Sequence, residues 1–296
     1  MIKNKSINTR GIILAAGRAS RLFPITYAVN KQLLQIYDKP MIYYPLSVLM
    51  LADINKILII TKKEDLSNFK SLLGNGNHLG IKLSYQIQKK PKGIAEAFII
   101  GEKFISNSNC VLILGDNIFY GQGFSNKLFS AKSKKEGATI FSYPVDDPER
   151  YGVVELDKNK FAKKIVEKPK KPKSNLAVTG LYFYDNQVVN IVKSLKPSKR
   201  GELEITDVNK EYLKKKQLNV ETFGRGFAWL DTGTPDSLLN ANNFIATVEN
   251  RQGLKIACLE EIAFNNKWIS KEELKKLKDL ISSGPYKDYL IKILKK

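Results

Sequence analysis

Three short runs in the first third of the chain are apolar almost without interruption: GIILAA (11–16), KILIIT (56–61) and CVLILG (110–115). A strand with one wet face alternates apolar and polar residues, whereas runs apolar at both parities read as strands covered on both sides, as in a parallel sheet. Between them the apolar spacing turns helical, in MIYYPLSVLMLADI (41–54), EDLSNFKSLLG (64–74) and GIAEAFIIGEKFI (93–105), with Gly74 placed to cap the second. This strand–helix–strand rhythm predicts a doubly wound α/β sheet.

From about residue 137 the connections shorten. GATIFSYPV, YGVVEL, KFAKKIVEK and NLAVTGLYFYD read as strands that extend the first sheet into a mixed one, followed by helical patterns at 204–216 and 234–250. The tail is helical too: Ser270 and Glu273 form a capping-box pattern, and Leu274, Leu277, Leu280 and Ile281 share one helix face. The expected architecture is therefore a mostly parallel, Rossmann-like mixed sheet flanked by helices. A core spans 11–250, with halves at about 11–136 and 137–250, and 251–296 is a helical extension suited to oligomer or regulatory contacts.

Composition narrows the class. The 296 residues, 43% hydrophobic and 10% aromatic, are those of a globular protein. The segment MIKNKSINTR lacks the apolar run of a signal peptide, and the most apolar stretch, broken by Pro45, is too short to span a bilayer. Cys110 and Cys258 stand far apart in no metal or redox motif, so a cytoplasmic protein is expected. The net charge of +20 raises the question of nucleic acid. The lysines, however, are spread through KKPKKPK, LKKKQ and the tail without interleaved aromatics, which favours a basic surface suited to small anionic substrates over a stacking platform.

In a doubly wound sheet, ligands bind beyond the C-terminal ends of the strands, and four stretches carry chemistry there. The loop AAGRASR follows the first apolar run, so its amides can form an anion nest beside the forked charge of Arg21; it fits neither dinucleotide nor Walker spacing, and alone it reads equally well as a plain turn. Lys31 follows in VNKQLL, where an isolated lysine reads as a surface residue. Asp116 in VLILGDNIFYG and Asp231 in FAWLDTGT each end an apolar run, and two such carboxylates suit Mg²⁺, although spacing does not show that they meet. With His78 the only histidine, in the loop GNGNHLG, nucleophilic catalysis by a histidine-activated residue is disfavoured. Positive charge, backbone amides and metal carboxylates equip a protein for phosphoryl or nucleotidyl transfer.

Taken together, GIILAAGRASRLFPIT, DKPMIYYPL, LGDNIFYG, DPERYGVVE, EKPKKPKSNLAVTGLYFYD, RGELEITDVN and WLDTGT resemble the glucose-1-phosphate thymidylyltransferases of the sugar-nucleotidyltransferase superfamily, over roughly residues 11 to 265. The resemblance implies that dTTP and α-D-glucose 1-phosphate give dTDP-glucose and pyrophosphate, the first step toward rhamnose-type dTDP-sugars. The sugar phosphate would attack the α-phosphorus in line.

By motif, Arg21 would bind the departing pyrophosphate and Lys31 the charge growing on the α-phosphate, with Gly17, Ala19, Ser20 and Gln32 at the nucleotide. Asp116 and Asp231 would hold Mg²⁺. Gln88 and Gly93 would read the thymine edge. Tyr151, Gly152, Glu167 and Val178 would contact the hexose, and Lys168 and Arg200 its phosphate. A homotetramer with a second nucleotide-sugar site, built from DNIFYGQG and RQGLKIACLEEIAF, is also implied. Here Gln122 and Asn265 stand where histidine and arginine are usual.

The phosphate loop departs from the family's G-G-x-G-T-R. It has Ala19 where a glycine is usual, which matters if the position needs positive φ, and Arg18 adds a charge near the triphosphate. Two alternatives stand beside the main expectation: a UTP-preferring uridylyltransferase, since uracil shares the edge Gln88 would read, and a non-catalytic nucleotide-sugar- or nucleic-acid-binding relative.

Overall fold

The computed structural model describes residues 8–17 and 19–295; most of the basic segment at 1–10, and Arg18, lie outside the described residues. The chain opens with strand β1 (Thr9–Ala15). A small hairpin, β2 (Gln35–Ile36) and β3 (Lys39–Pro40), leads into helix α1 (Tyr43–Leu51). Then come β4 (Lys56–Thr61), α2 (Leu66–Leu73), β5 (Lys82–Ile87), α3 (Glu96–Ile100), α4 (Glu102–Ile105) and β6 (Asn109–Leu114). The four long strands are mutually parallel in the order β5-β4-β1-β6. Their apolar residues alternate between two separate cores. Ile13, Ile57, Ile59, Val111 and Ile113 face one, and Ile12, Leu58, Ile60, Cys110 and Leu112 face the other. Burial on both faces is why β1, β4 and β6 are apolar at successive positions such as 12–15, 57–60 and 110–114.

The order has a functional consequence. The chain steps outward from β1 to β4 and β5, then returns to the far side of β1 with β6, so the winding reverses between β1 and β6. The crevice beyond their C-terminal ends is where such sheets bind ligands.

The second half comprises β7 (Asn117–Gly121), α5 (Phe124–Lys132), β8 (Ala138–Pro144), β9 (Gly152–Leu156), β10 (Ala162–Glu167), β11 (Leu176–Tyr184), α6 (Val188–Ser194), α7 (Ile205–Lys214), β12 (Leu218–Thr222), β13 (Phe227–Asp231) and α8 (Pro235–Gln252). Antiparallel pairing of β11 with β6 joins the two halves into one mixed sheet, and β11 also pairs with β8 and β9. Outside that sheet, β7 and β13 form a separate antiparallel ribbon.

The tail folds as α9 (Leu259–Asn265), α10 (Lys271–Leu280) and α11 (Pro285–Leu294). Leu259, Ala263, Leu274 and Leu290 enter the same core as Ile13 and Leu46, so the extension is packed onto the sheet's helical layer. The capping box is formed, with Ser270 Oγ accepting from Glu273 N and Glu273 Oε2 from Ser270 N.

Two sequence expectations need correction. The helix expected over 93–105 divides at Gly101, which ends α3 and packs so tightly on the sheet that a Cβ there would come within 2.9 Å of Ile12 Cδ1. In the tail, Leu274 is fully buried but Leu280 is 82% exposed. Leu280 lies about 240° around the helix from Leu274, at the rim of the apolar arc. Among the described residues no helix is long and apolar enough to cross a membrane.

Candidate active site

At the end of β1 the chain passes through Ala16 and Gly17 to Ala19, which has φ 49° and ψ 33°. The position does demand the left-handed conformation, and alanine adopts it, at a cost of about 1–2 kcal/mol relative to an unstrained residue. The Ala19 carbonyl accepts from Leu22 N (3.0 Å) and Thr26 Oγ1 (3.1 Å), closing a turn that leaves Ser20 and Arg21 exposed. A Cβ on Gly17 would meet no described atom, so the space above it is open.

Lys31 is buried, not a surface lysine, and its Nζ lies 2.6 Å from Asp116 Oδ2. It sits on a turn capped by Asn30, whose Oδ1 accepts from Gln32 N (2.9 Å) and whose Nδ2 donates to Asp65 Oδ2 (2.6 Å) and to the Ala15 carbonyl (3.3 Å). Asn30 thereby ties the lysine to the end of β1. Gln32 is buried beside it, and its Oε1 has no partner among the described residues.

The two aspartates meet through the ribbon. Asp231 ends β13 directly opposite Asn117 on β7, next to Asp116 in the chain, and Thr232 Oγ1 donates to the Asp116 carbonyl at 3.0 Å. Asn117, buried, is the keystone: its Oδ1 accepts from Trp229 Nε1 (2.7 Å) and Gly180 N (2.9 Å), and its Nδ2 donates to Asp116 Oδ1 (3.1 Å). Asp231 accepts from Gly233 N (2.9 Å) and the Tyr151 hydroxyl (3.1 Å), and Arg150 lies 3.6 Å away. Burial, reinforced by the charge of Asp231, raises the Tyr151 hydroxyl above its ordinary range and keeps it a donor. Arg21 reaches the same corner. A Cβ on Gly233 would stand 2.8 Å from Arg21 Nη2 and 2.9 Å from Asp231 Oδ1.

A cavity of about 280 Å³ extends from this corner, lined by Arg21, Asp116 and Asp231 at one end and by Tyr151, Gly152, Glu167, Lys168, Val178 and Arg200 farther on. All six residues expected at the sugar and its phosphate therefore line this one cavity. Glu167 accepts from Thr206 Oγ1 (2.6 Å), and Arg200 is held by Glu204 at 2.8 Å and faces Glu167 at 3.4 Å. Lys31, Arg150 and Arg200 thus each already have an acidic neighbour.

Gln88, which does not line this cavity, follows β5 and is buried. Its Nε2 donates to Glu96 Oε2 (2.7 Å), which also accepts from Lys92 N (3.2 Å). Gly93 has φ 99°, and a Cβ there would lie 2.3 Å from the Leu203 carbonyl, so only glycine lets this loop approach the sugar-side segment.

Among the described residues no cluster of three or more metal-binding side chains occurs. Two carboxylates in contact with a cavity suit Mg²⁺, which takes one or two protein carboxylates and completes its shell with phosphate and water oxygens. Sequence reasoning missed Asn30, Asn117, Arg150 and Glu96. Asn30, Asn117 and Arg150 carried a hint as the chain neighbours of Lys31, Asp116 and Tyr151; Glu96 carried none.

A second cavity, of about 430 Å³, lies between the segments around Tyr120 and Ile256, with Asn265 on its wall.

The nucleotidyl transferase family model matches residues 10–248. A glucose-1-phosphate thymidylyltransferase of Neisseria meningitidis is 58% identical over 287 residues, 97% of this chain and all of that protein. A Bacillus anthracis structure assigned as a glucose-1-phosphate thymidylyltransferase and solved with sucrose superposes with a TM-score of 0.74 at 45% identity, over 80% of this chain and 94% of that one. A UDP-glucose pyrophosphorylase solved with UDP-glucose has a TM-score of 0.72 at 27% identity, over 82% of this chain and all of that one.

Proposed function

The chain belongs to the nucleotidyl transferase family, and from that premise we propose that it converts dTTP and α-D-glucose 1-phosphate to dTDP-glucose and pyrophosphate, as the first step toward rhamnose-type dTDP-sugars. The observation that carries this is the meeting of Arg21, Lys31, Asp116 and Asp231 at the β1–β6 crevice of a chain similar along nearly its whole length to thymidylyltransferases.

The sugar phosphate lies against Lys168 and Arg200, with the hexose on Tyr151, Gly152, Glu167 and Val178. The triphosphate lies over Gly17, Ala19 and Ser20. Once a phosphate competes for its ammonium, Lys31 stabilises charge growing on the α-phosphate, and Arg21 holds the departing pyrophosphate. Asp116 and Asp231 would hold Mg²⁺, which would supply neutralisation of phosphate charge. Gln88 and Gly93 face the base, with Gln32 beneath. Because attack is direct, no side-chain nucleophile is required, in keeping with a site whose chemistry is positioning and electrostatics.

The test is to incubate the protein with dTTP, glucose 1-phosphate and Mg²⁺ and measure pyrophosphate; a folded protein without turnover overturns the reading. Uracil presents the same edge as thymine, so comparison of kcat/KM for dTTP and UTP ranks the two nucleotides. As part of the same reading the protein is a cytoplasmic homotetramer, in keeping with its buried free Cys110 and Cys258, and the second cavity takes a nucleotide-sugar inhibitor. Light scattering, and activity in saturating dTDP-rhamnose, test these two points.

A further inference from the structure

We propose that Glu96 sets the nucleobase specificity of this enzyme by fixing which end of the Gln88 carboxamide faces the ligand; the inference rests on the reading of Gln88 as the base contact. A terminal amide is nearly symmetric in shape, and rotation by half a turn exchanges its acceptor for its donors. At Gln88 that choice is removed. Its NH₂ group donates to Glu96 Oε2 at 2.7 Å, and a carboxylate can only accept, so the carbonyl cannot take its place. The carbonyl is turned away from Glu96, and no described residue donates to it. Glu96 is itself held, at the first position of α3, by the amide of Lys92 at 3.2 Å, and Lys92 is anchored by Leu203 N on its carbonyl at 2.7 Å. The loop, the carboxylate and the amide form one rigid unit.

A rigid acceptor selects by chemistry. Thymine and uracil offer a ring N–H where cytosine has a bare ring nitrogen, itself an acceptor. Against the fixed Gln88 carbonyl, cytosine would leave two acceptors facing each other out of water, a mismatch that protein sites reject strongly. Glutamine at 96 could accept or donate, and so would free Gln88 to turn its NH₂ toward cytosine.

The experiment compares dTTP with dCTP on the wild type, Glu96→Gln and Glu96→Ala, reading both kcat/KM and equilibrium binding. Circular dichroism confirms folding. The dTTP:dCTP ratio is expected to fall by about tenfold or more in both variants, through better use of dCTP. If Glu96 only anchors the loop, both nucleotides weaken together and the ratio is unchanged, which overturns the proposal. Binding needs no turnover, so a wild type that binds and discriminates without reacting sinks the proposed reaction while leaving the Glu96 inference to be read. A wild type that binds neither nucleotide overturns both.

Discussion

Lys31 Nζ lies 2.6 Å from Asp116 Oδ2, joining the lysine assigned to the α-phosphate to a carboxylate assigned to the metal. Only 5% of the Lys31 side chain is exposed, so its ammonium has little water to replace that partner. The free protein keeps its main cation satisfied with its own anion, and substrate must exchange those partners. Lys31→Met should lower kcat by about 100-fold or more, as loss of one transition-state charge contact does. The same variant leaves Asp116 without its neutralising ammonium and should bind Mn²⁺ more tightly in the absence of nucleotide. A metal titration that shows weaker binding contradicts this account.

Asp231 at the end of β13 and Asp116 just before β7 line one cavity, and among the described residues no third side chain joins them in a metal-binding cluster. Metal affinity should therefore be weak in the free protein and rise when triphosphate oxygens complete the shell. Chelation should abolish turnover and added Mg²⁺ restore it. Asp231→Asn should cost about 100-fold in kcat/KM and raise the Mg²⁺ concentration required for half-maximal rate. A variant with unaltered Mg²⁺ dependence would remove Asp231 from the metal site.

Ala19 pays for its left-handed backbone with strain. Ala19→Gly relieves about 1–2 kcal/mol of that strain but adds about 0.5–1 kcal/mol of unfolded-chain entropy, so stability should rise by no more than about 1.5 kcal/mol. Ala19→Val, β-branched at positive φ, should distort the loop and raise the KM for dTTP by about tenfold. Steady-state kinetics beside thermal melts separate the two effects; equal KM values for valine and alanine would show that the loop conformation is not the phosphate-binding one.

Asn117 joins β7 to β11 and β13 by two hydrogen bonds and holds Asp116 by a third. Asn117→Ala orphans the buried indole N–H of Trp229 and the amide of Gly180, each at about 1–3 kcal/mol. A loss of roughly 2–5 kcal/mol in denaturant unfolding is expected, together with reduced activity through Asp116. Full activity in the folded variant would show that Asp116 needs no such support.

The elements were readable because burial leaves a local record. A strand covered on both faces is apolar at successive residues, as in 56–61, and the end of a helix is written in a few caps, as at Ser270 and Glu273. The family motifs likewise named Arg21, Lys31, Asp116 and Asp231. What the sequence could not state is who meets whom. Asp231 comes beside Asp116 only because β13 pairs with β7 outside the main sheet, in a register where Trp229 Nε1 also donates to Asn117 Oδ1. Lys31 is buried against Asp116, on a turn that Asn30 ties to the end of β1. Glu96 gains a role only through Gln88, eight residues earlier, after the loop has folded back on Leu203. Periodicity and caps are properties of neighbours along the chain. Hydrogen bonds, backbone sign and charge pairing at a crevice are properties of neighbours in space, and those the tertiary structure alone decides.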